Sequence, residues 1–101
     1  MVLANSKKQT FICTIRNKLL HFQEIKKVIL FGSFLNSDDP KDIDIAIIHN
    51  SNEDFLALSL KYRKTLRELA KQIPIDIVPI KQDAKGVFLD EINKGQIVYE
   101  R

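Results

Sequence analysis

Three aspartates and a Gly-Ser pair are the residues of this sequence whose types and spacing suit chemistry. Gly32 and Ser33 close the apolar run Val28-Ile29-Leu30-Phe31, and Asp42-Ile43-Asp44 follows across a polar spacer. A third acid, Asp76, stands between Ile75 and Ile77 in a later apolar run. Aspartate is disfavoured inside strands, and unpaired charge beside a core is costly. Carboxylates set among isoleucines therefore need a cation. On a strand, Asp42 and Asp44 share a face with α-carbons roughly 6.5–7 Å apart, so both can reach one metal site. Hard oxygen ligands suit magnesium, and two such ions about 3.5–4 Å apart stabilise the attacking and leaving oxygens of an in-line displacement. Gly32 lets a phosphate approach the backbone closely, and Ser33 offers a hydroxyl and an amide at the expected start of a short helical turn. One strand acid alone would read as a surface residue paired with lysine. Three at matched positions beside a Gly-Ser turn read as a site.

The elements that must position these residues follow from periodicity. Phe11, Ile12, Ile15, Leu19, Leu20 and Phe22 recur at helical spacing over residues 9–23, with Asn5 or Ser6 as the cap. Cys13 falls among the core positions of that helix and is expected to be buried. Residues 28–31 read as a strand stopped by Gly32, the loop 36–40 is dense in turn residues, and residues 42–48 read as a second strand. Ser51 or Asn52 opens the next helix, whose expected buried stripe is Phe55, Leu58, Tyr62, Leu66, Leu69 and Ala70. Pro74 ends it. Residues 75–80 form a third strand, with Pro79 suggesting an exposed edge or the strand's finish. Phe88, Leu89 and Ile92 predict a short helix ended by Gly95, and residues 96–99 predict a last strand. The order α-β-β-α-β-α-β predicts an α/β (α+β) fold with helices packed on a small mixed sheet.

Composition bounds the rest. A length of 101 residues predicts one domain spanning 1–101, and 45% hydrophobic with 29% charged residues is ordinary globular composition. A net charge of +3 suits an anionic ligand without being a nucleic-acid footprint. The single cysteine precludes an intramolecular disulfide and, with no apolar run of membrane-spanning length, predicts a soluble cytoplasmic protein. His21 and His49 are far from each other and from Cys13, which argues against zinc, and His49 is expected at the surface.

On these residues the sequence resembles the minimal nucleotidyltransferases (MNT) of the polymerase-β-like superfamily. The resemblance rests on Gly32-Ser33, the spacer to Asp42-Ile43-Asp44, and Asp76 on a later strand, and it extends weakly to the last helix and strand. It implies that Asp42 and Asp44 bind magnesium ions carrying a nucleoside triphosphate, that Asp76 completes the second metal site and helps activate the acceptor hydroxyl, and that Gly32 and Ser33 hold the β- and γ-phosphates. The implied reaction transfers a nucleoside monophosphate, AMP from ATP, and releases pyrophosphate. Small members include antitoxins of HEPN/MNT toxin–antitoxin pairs, which implies a HEPN-type helical partner; a homo-oligomer would be another way to complete the acceptor side. Two alternatives stand beside this reading: a nucleotide- or partner-binding module with little catalysis, and an antibiotic adenylyltransferase. Phe34-Leu35-Asn36 stands where the family often carries a small-basic-glycine run, which leaves Lys41 as the nearest cation for the phosphates.

Overall fold

The computed structural model describes residues 5–84, 86, 92 and 94–101. Helix α1 (Asn5–Leu19) leads into strand β1 (Ile25–Phe31), and the one-turn helix α2 (Ser33–Asn36) precedes β2 (Ile43–His49). Helices α3 (Phe55–Thr65) and α4 (Arg67–Ala70) then connect to β3 (Ile75–Lys81), and β4 (Gln96–Glu100) is the last element. The strands form one sheet in the order β3-β2-β1-β4. Strand β1 is antiparallel to both β2 and β4, whereas β2 and β3 run parallel. Parallel neighbours need a crossover, and α3 with α4 supplies it. The expected mixed sheet with packed helices is the observed architecture, and Pro79 lies within its edge strand β3. The helix expected through Phe88 and Leu89 lies outside the described residues.

Strand alternation makes two unequal faces. Val28, Leu30, Ile43, Ile45, Ile47 and Ile77 pack with Phe11, Ile15 and Leu19 of α1 and Leu58 and Tyr62 of α3. Each such side chain, fully buried, contributes about 1.5–3 kcal/mol. Among the described residues, the opposite face carries a smaller cluster of Ile29, Ala46 and Ile92, with Phe31, Ile48 and Ile80 against it. Because side chains alternate, Asp44 and Asp76 fall on this second face.

Several local expectations are corrected. Helix α1 ends at Leu19 rather than Gln23, and the Arg101 guanidinium donates to the Leu20 and Gln23 carbonyls at 3.1 and 2.7 Å. Those bonds satisfy acceptors in the turn that follows the helix. Cys13 is exposed, because it lies roughly 200° around the helix axis from both Phe11 and Ile15. Asp54, not Ser51 or Asn52, caps α3 by accepting from the Ala57 amide at 2.7 Å. Phe55 is 61% exposed at the first position of α3, and Ala70 is exposed at the last of α4, so neither joins the buried stripe. A kink at Leu66 (φ −101°, ψ 16°) separates the two helices. His49 is buried rather than at the surface: it continues the Ile43, Ile45, Ile47 alternation toward the helices, and its Nδ1 accepts from the Ser51 amide at 3.1 Å.

Candidate functional site

The sheet register assembles the acids. Asp44 is paired with Asp76 across the parallel β2–β3 ladder and with Phe31 across the antiparallel β1–β2 ladder. Asp42 lies one residue before β2 rather than within it, yet its carboxylate still reaches the others. Carboxylate oxygens of Asp42, Asp44 and Asp76 all lie within 4.8 Å of one another. Asp76 is exposed on the edge strand, while Asp42 and Asp44 are half-buried. Burial, then the charges of Asp42 and Asp76 and a hydrogen bond to Asp76, push the Asp44 carboxyl up to about 6. Three oxygen donors crowded in this way could hold a divalent cation, and hard-oxygen chemistry fits magnesium.

Gly32 is fitted against this cluster. Its φ of +80° and ψ of −155° lie in a region essentially closed to other residues. A Cβ at Gly32 would overlap Oδ2 of Asp44. The Gly32-Ser33 turn thus comes as close to the acids as a backbone can. Both residues are exposed, so a ligand can reach them. Ser33 begins the expected helical turn, and Phe34 explains why that turn departs from the familiar pattern. Phe34 is buried against Phe11, with ring centroids 6.3 Å apart, and Leu35 packs on the same core. The Lys8 ammonium secures the far end of the turn by donating to the Ser37 carbonyl at 2.6 Å.

Of the residues expected from sequence, the structure gathers Asp42, Asp44, Asp76 and Gly32, with Ser33 adjacent. Lys41 is exposed and precedes Asp42. On the β4 side of β1 a cleft of about 370 Å³ is lined by Phe31, Gly32, Leu35, Asn36, Lys94 and Gly95, and Lys41 is not among them. Asn36 and Lys94 line the cleft without having been expected there from the sequence. The available signal was the Lys94-Gly95 step before the last strand, which places a cation near Gly32 only once β4 is known to pair with β1.

Comparison with known structures places this geometry among related folds. A chain from the tri-AMPylated Shewanella oneidensis HEPN toxin in complex with MNT antitoxin is 21% identical, with a TM-score of 0.60 over 93% of this chain and 70% of that one. A chain of a mutant MntA–HpeT toxin–antitoxin is 20% identical, with a TM-score of 0.59 over 98% of this chain and 75% of that one. A toxin–antitoxin structure with AMP-PNP matches at 19% identity and a TM-score of 0.58, over 93% and 73% of the respective chains. At such identities the likeness is one of fold. No curated protein matches the chain by sequence. The family described as polymerase beta, nucleotidyltransferase matches residues 14–101, which include the Gly-Ser turn and all three acids, and this chain belongs to that family.

Proposed function

We propose that this chain transfers AMP from ATP to an acceptor hydroxyl, with release of pyrophosphate, and that the acceptor lies on a HEPN-type partner protein. One arrangement carries the reading: the carboxylates of Asp42, Asp44 and Asp76 converge within 4.8 Å beside a glycine that only a glycine can replace. The donor set fits two magnesium ions, which when bound would neutralise charge on the triphosphate and on the attacking and leaving oxygens. In this reading Asp42 and Asp44 hold the nucleotide side, and Gly32 and Ser33 receive the β- and γ-phosphates. Asp76, exposed on the edge strand, faces the acceptor and takes the proton from its hydroxyl as that oxygen attacks the α-phosphorus. The bond from the α-phosphorus to the bridging oxygen breaks in line, and pyrophosphate leaves along the Gly32-Ser33 turn. Holding these groups in line is the protein's main contribution to phosphoryl chemistry of this type. Support for the partner comes from the shared fold with chains of HEPN–MNT complexes.

The test is a transfer assay with ATP labelled at the α-phosphate, magnesium and a HEPN-type partner. Label should appear on the partner, and Asp44→Asn should abolish it while the variant still folds. Full activity in Asp44→Asn would overturn the mechanism.

A further inference from the structure

We propose that Lys94, with the side-chain amide of Asn36, binds the terminal phosphates of the nucleotide in the cleft on the β4 side of β1; this rests on the transfer reading above. The acids sit on the β2–β3 side of β1, and Gly32 lies between them and the cleft. A triphosphate whose α-phosphate lies at the acids and whose next phosphates lie along Gly32-Ser33 is therefore led into the cleft. Its volume of about 370 Å³ lies within the range of roughly 300–1,000 Å³ typical of small-molecule sites.

The tail of a triphosphate is its most charged part, and it needs a cation beyond the metal site. Helix α2 supplies none, since its sequence is Ser33-Phe34-Leu35-Asn36 and two of those residues serve the core. Lys94 is the one cation among the described residues that line the cleft. Lys94 lies in the turn just before β4, next to a residue that the sheet holds. Leu30 pairs with Gln96, which brings Gly95 alongside β1, and a Cβ at Gly95 would overlap the Leu30 carbonyl oxygen. Gly95 N–H also donates to the Ile92 carbonyl at 2.9 Å. The backbone is thus held flush on β1 one residue after Lys94. A lysine ammonium binds phosphate as a point charge, and Asn36, which lines the same cleft, carries two N–H donors.

The experiment is calorimetry with ATP, ADP and AMP, each with magnesium, on the wild-type chain and on Lys94→Ala and Lys94→Arg. Lys94→Ala should weaken ATP binding by about ten-fold or more, the scale of one charge-assisted hydrogen bond, while leaving AMP binding within about two-fold. Lys94→Arg should restore most of the loss, which also excludes misfolding as its cause. ATP affinity unchanged in Lys94→Ala would overturn the assignment and leave the transfer reading intact. Equal weakening of ATP and AMP would overturn it too, because the effect would then not belong to the phosphate tail. If the wild-type chain fails to bind ATP with magnesium, both fall.

Discussion

Gly32 is the residue at which backbone conformation and site chemistry depend on each other. Its dihedral angles exclude a side chain, and the space a Cβ would take is held by the Asp44 carboxylate. Gly32→Ala therefore carries two separable penalties. The backbone strain is of order 1–3 kcal/mol and appears in chemical denaturation. The displacement of Asp44 appears as weaker magnesium binding, measured by titration on the folded fraction. Strain without loss of metal affinity would show that the acids do not depend on the turn. Asp44 itself gives a second prediction. Its carboxyl titrates near 6 because burial and two neighbouring acids oppose its charge, so a saturating divalent cation should shift that titration downward. Carboxyl carbon NMR with and without magnesium reads the shift, and an unmoved titration would mean the ion binds elsewhere.

At the scale of elements, the sequence shows what is local and hides what is not. The three acids and the Gly-Ser turn are readable because strand alternation has a period of two and glycine marks the turn. The pairing of Asp44 with Asp76 is not readable, since it depends on a parallel register set across the whole α3–α4 crossover. Lys94 stayed hidden for the same reason, as its place beside Gly32 depends on how β4 pairs with β1. His49 is a different case: counting by twos from Ile43 assigns it to the buried face, and only its place at the strand's end suggested the surface. The Phe34-Leu35 pair looked like lost phosphate chemistry but is the anchor of the turn. Helix α3 is fastened at the opposite end of β1 from the acids. There Tyr62 donates to the Glu24 carboxylate at 2.9 Å, and Lys61 bridges Glu24 and Glu53 at 2.8 and 3.1 Å. Burial and the Glu24 carboxylate raise the Tyr62 phenol well above its ordinary range, so it remains a donor at any working pH. Tyr62→Phe keeps the edge-on contact with Phe22 and removes only this bond. It should destabilise the protein by about 1–2 kcal/mol, several degrees in Tm at this size, and leave ATP affinity unchanged. A fall in ATP affinity would show that the two ends of the sheet are coupled.

For the whole molecule, pH sets the site against the fold. In metal-free protein Asp44 has a folded pKa of about 6 against an ordinary value of 3.8, so between those limits the native state holds more protons than the unfolded state. Stability from this group is therefore greatest below about pH 4 and declines until about pH 6. The loss is at most about 3 kcal/mol from the shift, and nearer 1–2 once solvent screening is counted. His49 acts in the opposite direction. Burial first, and then the positive charge of Lys81, hold its pKa below the ordinary 6.5, so its contribution is full above 6.5 and is lost as pH falls from there through the lowered pKa. Asp44→Asn removes the first effect and leaves the second. In urea unfolding with chelator present, Asp44→Asn should exceed the wild-type chain in stability by about 1–2 kcal/mol at pH 7.5. The gap should narrow toward pH 4 and close below it, where Asp44 becomes protonated in the unfolded state as well as in the native one. Magnesium should narrow the gap at pH 7.5 by stabilising only the wild-type chain, since an ion bound by the native state shifts unfolding by mass action. A constant gap across pH would assign the difference to packing rather than to charge. A gap that closes with acid and with magnesium would mean that the fold carries crowded carboxylates at a cost which their cation relieves.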